Sequence, residues 1–469
     1  MFTPSRNRDV HPSLLLTIYA AATFVTALDV FIVNVGLPSL GRDVGQASLN
    51  DLSWVLNGYT IVFAALLVPA GRLGDRYGNK LVFLIGLIVF ALASLGCAAS
   101  SNLWLIVGFR CAQGIGGAAL LPTSLGLILT TIPQERRHQA IRLWTIVGSF
   151  GAAAGPAIGG LLVAASWRWI FIINVPVGIV AALMAARLVP HVRHHQDTLI
   201  PDLFGGALLV LAVGSLALAL VQGPVWGWGS TSTIISFVVV AVSAVAFIVR
   251  STRAKAPIVD FNLFRHHTFA WANGAMFFSN LGFGLQLLGL ILLMQDVWRW
   301  SALETGLAIA PGPIAVSLAA LGIRPHLKMP EGVMAAIGVL LMAGGGILIG
   351  ALIGAHANYA AAVLPGWMIV GAGVGLAIPS ITTAGASSLA VHQTGTGSGV
   401  IQMARWIGST IGVSLLVVVI GTATGVGASP HNFSRAWYWA AVPLVIGALF
   451  CLGTTHRPVG ALRTLSATD

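Results

Sequence analysis

The sequence predicts an all-α membrane protein of fourteen transmembrane helices, two six-helix halves with an inserted helix pair between them. Three observations predict it. Of the 469 residues 57% are hydrophobic and only 8% charged, with a mean hydropathy of +0.91, a balance foreign to a water-soluble chain of this length. Apolar stretches of roughly 20 residues, enough to cross about 30 Å of hydrocarbon as helix, recur from end to end. Basic residues concentrate on alternate connections between those stretches. Barrel strands would be about ten residues long with alternating polarity, whereas "LVFLIGLIVFALASLGCAA" and "TIISFVVVAVSAVAFIV" run on without alternation. No soluble domain fits between the spans. The first apolar run, Leu14 to Leu40, is too long for a signal peptide and carries Asp29 within it.

The spans start near residues 14, 54, 81, 103, 141 and 170 in the first half, 203 and 233 in the inserted pair, and 270, 303, 333, 360, 397 and 436 in the second half. Domain boundaries are therefore expected at 1–195, 196–256 and 257–469. With both termini cytoplasmic, eighteen of the 24 Lys and Arg residues fall inside. Arg42, Arg168, Arg299 and Arg435 fall outside, and Arg110 and Arg405 sit within spans. An odd number of spans, or the reverse orientation, destroys that asymmetry. The formal charge of +11 thus reports orientation against an anionic leaflet, not nucleic-acid binding. Trp54, Trp104, Trp167, Trp169, Trp226, Trp228, Trp298, Trp300, Trp437 and Trp439 all land at outer ends, an interfacial belt. Cys97, Cys111 and Cys451 lie in apolar spans and read as small hydrophobes, not a disulfide framework.

A repeat runs through the apolar pattern. "GIGGAALLPTSL" from Gly114 in span four and "GAGVGLAIPSIT" from Gly371 in span twelve align Gly116 with Gly373 and Pro122 with Pro379. The copies stand eight spans apart, so two six-span halves are separated by spans seven and eight, joined by the short "GPVWGWGS" turn. Internal repeats of this kind point to transporters.

Polar residues inside a membrane are costly and by default functional. Asp29 is the one acid of thirteen placed deep in a span, about eight residues or ~12 Å below the outer end of span one. Arg110 lies about seven residues or ~10 Å below the outer start of span four, at matching depth. Low dielectric disfavours a bare carboxylate, whereas a guanidinium beside it stabilises the charge. Movement of Arg110 relative to Asp29 would therefore load or release a proton. A static ion pair tying the two spans together is the plainer alternative. Asn34, Gly36 and Pro38 follow Asp29 and argue against a helix that is rigid throughout.

Five motifs occur in order: "LDVFIVNVGLP", "GRLGDRYGNK" (71–80), "RCAQGIGGA" from Arg110, "GSFGAAAGPAIGG" from Gly148 and "WRWIFIINVPVG" from Trp167. They resemble the motifs of the major facilitator superfamily, specifically its fourteen-helix drug:proton antiporter family, and "SGVIQMARWIGSTIG" in span thirteen extends a weaker likeness. The resemblance implies the major facilitator fold. In the second motif, Gly71, Gly74 and Gly78 permit a tight turn, and Asp75, Arg76 and Lys80 are expected to make charge contacts that close the inner side. In the fourth, Gly151, Gly155 and Gly159 share one helix face, Gly160 follows, and Pro156 bends the span, giving a close-packed, kinked helix between the halves. In the family this fifth-helix motif marks exporters that exchange substrate for protons.

Departures from the family pattern matter as much. Asn57 stands where some multidrug members carry an acid, Trp367 where the repeat mate of Arg110 would be, and "LGIRPHLKMP" lacks the Asp-Arg-Gly pattern of a second gating loop. Arg405 is the one embedded charge of the second half, needing helix carbonyls, water or an anionic ligand, with Gln402 one turn earlier to help satisfy it. The candidate cavity set is Asn34, Asn57, Gln113, Trp367, Gln402 and Arg405. "HVRHH" (191–195) and His266–His267 lie in basic loops and are not read as metal sites.

The expectation is a monomeric, proton-coupled exporter of lipophilic small molecules across the cytoplasmic membrane, working by alternating access, with no cofactor. Its partners are the substrate, protons and membrane lipids. Export of a lipid or cell-envelope precursor, or proton-coupled uptake on the same fold, are the alternatives. An enzyme would need clustered polar catalytic residues or a soluble domain, and a channel repeated polar rings; the sequence supplies neither. One deep acid, already within reach of an arginine, leaves little negative charge for a dication. Neutral, singly cationic or weakly anionic lipophiles are therefore the expected cargo, with Arg405 serving any anionic group.

Overall fold

The computed structural model describes residues 11–45, 47–190, 202–327, 329–354, 356–389, 393–420 and 429–455. Six helices form the first half: α1 Pro12–Asp43, α2 Leu49–Tyr77, α3 Asn79–Ala99, α4 Leu103–Thr131, α5 Gln134–Ala165 and α6 Trp169–Leu188. An inserted pair follows, α7 Leu203–Trp226 and α8 Thr231–Arg253. The second half comprises α9 His267–Val297, α10 Ala302–Ile323, α11 Glu331–Leu352, α12 Tyr359–Ser387, α13 Thr394–Ile420 and α14 Pro430–Gly453. Thirteen are long and apolar enough to cross a membrane, and α5 makes a bent fourteenth.

The expected starts of spans two, five and fourteen come five to seven residues late, because α2, α5 and α14 begin in polar sequence. Ser48 accepts the Asp51 N–H, Ser429 accepts the His431 N–H, and α5 opens on "QERRHQA". The face holding the first turn of α1 and the last turn of α14 is here termed proximal, the opposite one distal. The ten tryptophans of the predicted belt lie toward distal helix ends, though not all as lipid anchors. Trp167 and Trp437 are buried, and the Trp167 Nε1–H donates to Asp43 at 2.8 Å.

Close backbone approach explains where the glycines fall. A Cβ at Gly116 would lie 2.8 Å from the Gly86 carbonyl and the Phe90 nitrogen on α3. At Gly373 it would meet the Gly338 carbonyl and lie 2.9 Å from the Met342 nitrogen on α11. The aligned repeat glycines therefore make the same contact in both halves. On α5, Gly151, Gly155 and Gly159 face α1, at Phe24, Phe31 and Ile32, inside the first half. Gly160 and the Pro156 carbonyl reach across, to Ala302 and Gly306 on α10, so α5 also packs against the second half. The bend in α5 lies between Ala152 and Ala154, where Pro156 leaves the Ala152 carbonyl without its helical donor.

The "GRLGDRYGNK" segment is not a loop. Helix α2 continues to Tyr77, the chain turns at Gly78 alone with φ of 104°, and α3 begins at Asn79. Gly71 and Gly74 pack on Pro122 and Thr123 of α4. Lys80 donates to the carbonyls of Ala186 (3.0 Å) and Val189 (2.6 Å), so it caps the proximal end of α6 instead of pairing with Asp75, which is exposed. Arg76 lies over the Tyr77 ring at 5.5 Å. In the second half, Arg324 grips Glu331 through both carboxylate oxygens (2.9 and 3.0 Å) and reaches Ser380 on α12 at 3.2 Å. "LGIRPHLKMP" thus ties the α10–α11 junction down without the Asp-Arg-Gly pattern.

Helix α7 packs against α2 and α13, one from each half, and Asn50 donates to the Val221 carbonyl at 2.9 Å. Helix α8 packs on α7 and is largely exposed. The boundary expected at 195/196, the 191–195 histidines, Arg6, Arg8, Arg193, Lys328, Arg457, Arg463 and the side chain of Arg142 lie outside the described residues.

Candidate functional site

Asp29 is completely buried. Because α1 runs on to Asp43, it lies about 21 Å from the distal end at 1.5 Å per residue, deeper than the sequence suggests. Arg110 Nη1 donates to Asp29 Oδ2 at 2.5 Å and to Gln113 Oε1 at 2.9 Å, and its Nε donates to the Val55 carbonyl at 3.0 Å. The other carboxylate oxygen accepts from Asn174 Nδ2 at 2.8 Å and Gln113 Nε2 at 3.3 Å. Gln113 Nε2 also donates to Ser94 Oγ at 2.7 Å. Side chains of α1, α3, α4 and α6 and a carbonyl of α2 thereby converge on one carboxylate.

Local structure fixes each partner. Asn102 caps α4 through the N–H groups of Trp104 and Leu105, and Arg110, two turns further along that helix, is buried. Helix α6 breaks at Ile173, so Asn174 opens its second segment. Its distal start is pinned by the Trp167–Asp43 bond and by Arg168 donating to the carbonyls of Ala98 and Ser100 at 2.9 and 2.8 Å. The Arg110 guanidinium lies over the Tyr59 ring at 4.3 Å, a cation–π contact in a desolvated place. The Tyr59 hydroxyl and Asn174 Oδ1 are buried with no hydrogen-bond partner. Two unmet polar atoms beside a buried ion pair mark a site not optimised for rigidity alone.

On the far side of Arg110 lies a cavity of about 50 Å³ between the halves, lined by Asn34, Asn57, Tyr59, Asn280, Arg405 and Trp406 among others. That is room for a few waters, whereas drug-sized pockets are roughly 300–1,000 Å³. The halves are drawn together above it. Asn57 Nδ2 donates to Ser414 at 3.2 Å, Thr60 and Thr410 share a bond of 2.7 Å, and Gln295 donates to the Val35 carbonyl at 3.1 Å. Those contacts, with Gly160 on Ala302 and Gly306 on Pro156, all lie in the distal halves of their helices.

Asn34, Asn57 and Arg405 therefore line the cavity, as the sequence suggests. Gln113, Trp367 and Gln402 do not. Gln113 is drawn into the Asp29 cluster by two hydrogen bonds. Trp367 is buried, stacks over Phe283 at 6.4 Å and donates to the Ile309 carbonyl at 2.8 Å. Gln402, one helical turn before Arg405, is not part of the cavity wall. The repeat shift that maps Gly116 onto Gly373 maps Asp29 onto Gln286 and Arg110 onto Trp367. Gln286 donates to the Met342 carbonyl at 3.2 Å, so the second half holds a neutral counterpart of the charged cluster.

Asn174, Ser94 and Tyr59 escaped the sequence reading. Asn174 carried a usable signal, an amide two residues before Pro176 in an otherwise apolar stretch. Hydroxyls at Ser94 and Tyr59 carried none, being cheap inside helices.

A family model described as Major Facilitator Superfamily matches residues 19–413. Multidrug resistance protein Stp of Mycobacterium tuberculosis is 32% identical over 429 residues, covering 89% of this chain and 78% of that one. Tetracenomycin C resistance and export protein of Streptomyces glaucescens is 31% identical over 449 residues, covering 94% and 81%. Among solved structures, an auto-inhibited POT family peptide transporter superposes with a TM-score of 0.68 at 16% identity, covering 96% of this chain and 97% of that one. With the repeat, the fourteen helices and these matches together, the chain belongs to the Major Facilitator Superfamily of membrane transporters, not to a family of enzymes.

Proposed function

We propose that the protein is a proton-coupled antiporter that exports lipophilic small molecules across the cytoplasmic membrane by alternating access, both termini being cytoplasmic. The observation that carries this reading is the position of Arg110, with Asp29 on one side at 2.5 Å and the cavity on the other. A proton arriving on Asp29 removes the charge that holds Arg110, and the freed guanidinium swings toward the cavity. Substrate in the cavity, or the departure of the proton, returns it. Occupancy of one site is thereby felt at the other. Relatives named for multidrug resistance and for antibiotic resistance and export support the direction of transport.

The small cavity fits a substrate-free arrangement closed on the distal face. The halves then rock about the Asn57–Ser414 and Thr60–Thr410 contacts to admit and release cargo. Inside-out vesicles containing the protein test the function. With an acid lumen, a lipophilic fluorescent dye should accumulate, and adding the dye should dissipate the pH gradient faster than in vesicles lacking the protein. Dye movement that ignores the pH gradient would defeat the reading.

A further inference from the structure

The wall of the proposed substrate cavity carries two guanidiniums, only one of which has a counter-charge. Arg110 is neutralised by Asp29, whereas Arg405 makes no ion pair and no hydrogen bond among the described residues. Its one contact of electrostatic kind is the Trp406 ring, 5.5 Å away. A structural arginine would cap helix carbonyls, and this one caps none. The amide donors of the wall are already engaged, Asn34 at the Val30 carbonyl (2.8 Å) and Asn280 at the Met276 carbonyl (2.9 Å) on their own helices, and Asn57 at Ser414 (3.2 Å) in the other half. The cavity therefore has one unspent fork of N–H donors and a net positive charge, beside flat apolar surfaces at Phe31, Phe283 and Trp406. An unpaired charge at this depth is costly unless a ligand or water meets it.

We propose that Arg405 is the docking point for a carboxylate on a flat lipophilic substrate, held through paired N–H···O bonds while its apolar body lies on the cavity aromatics. This rests on the reading of the cavity as the substrate site and narrows its cargo to monoanionic aromatic acids. A guanidinium matches a carboxylate in two parallel bonds, which an uncharged amide of the same shape cannot reproduce. The proton exchanged at Asp29 is separate, so the site distinguishes cargo charge without using the coupling acid.

Equilibrium binding of biphenyl-4-carboxylate and biphenyl-4-carboxamide to the purified full-length protein at neutral pH tests it. The wild type should favour the carboxylate by about 10- to 100-fold, the worth of a charge-assisted pair. In Arg405→Gln the ratio should collapse to near one. In Arg405→Lys it should fall several-fold, because an ammonium keeps the charge and loses the fork. Equal wild-type affinities, absence of carboxylate binding, or a ratio preserved in Arg405→Gln would overturn the assignment. Should Arg405→Gln fail to fold, an unaltered ratio in Arg405→Lys overturns it equally. Proton-linked movement of the neutral carboxamide in vesicles reports on the exporter reading alone, so the two failures are separable.

Discussion

At the scale of single residues, Arg110 is the part on which the site turns, because it is the member of the Asp29 cluster with bonds to the carboxylate, to Gln113 and to the α2 backbone at once. Arg110→Ala leaves the Asp29 carboxylate buried without counter-charge, a state that costs about 3–5 kcal/mol. Proton-linked export in vesicles should then fall to background while the protein still reaches the membrane. Asn174→Ala is milder. It removes one donor of two to Asp29 Oδ1, worth about 1–1.5 kcal/mol, so the proton-linked export rate should drop roughly ten-fold. Export at the wild-type rate in Asn174→Ala would show that the α6 amide merely fills space. The residue scale is also where sequence reading is weakest. The expected match in depth paired Asp29 with Arg110 correctly, although α1 runs further past Asp29 than the sequence suggests. The partners that complete the cluster depend on the rotation of α3 and α6, which apolar periodicity in a lipid-facing helix does not fix.

At the scale of elements, α7 joins the halves and is held by one cap. Asp202 accepts the Gly205 N–H at 3.1 Å and is gripped by Arg250 of α8 at 2.9 and 3.2 Å. Burial works against its carboxylate, yet the Arg250 and Gly205 bonds outweigh it and hold the carboxyl below the usual range. A depressed folded-state value contributes stability above the unfolded value of about 4, and that contribution is lost as the pH falls through the folded value. Asp202→Ala should therefore lower the melting temperature by a few degrees at neutral pH. The gap to wild type should stay level down to about pH 4 and close below it. A gap that widens on acidification would contradict the cap. Helix existence was legible throughout, because hydropathy over roughly 20 residues is a strong signal. The break at Ile173, the π turns at Leu293–Val297, Leu318–Ile323 and Tyr359–Val363, and the single-residue turn at Gly78 were not, since each is set by packing against neighbours.

At the scale of the whole molecule, the repeat foretold the architecture, and its asymmetry foretells the mechanism. Both halves make the same glycine contacts, at Gly116 and Gly373. The buried ion pair belongs to the first half, with Gln286 and Trp367 neutral in the second where Asp29 and Arg110 stand. On the proposed alternating-access reading, closure of the distal face draws on the bare backbone of Gly306 beneath the Pro156 carbonyl. Gly306→Val inserts atoms into that contact at a cost of about 1–3 kcal/mol, which shifts the population of distal-closed molecules by about 5- to 150-fold. Spin-label distances between the distal ends of α5 and α10 should lengthen in the variant, and an unchanged distribution would remove Gly306 from the gate. On the proposed reading, the carboxylate of Asp29 is the proton site that drives this motion. The most direct test of that role compares Asp29→Asn with wild type in proteoliposomes, reading dye transport driven by a pH gradient beside dye–dye exchange without one. The account predicts that Asp29→Asn loses gradient-driven transport and keeps measurable exchange. Gradient-driven transport at the wild-type rate in Asp29→Asn would contradict it.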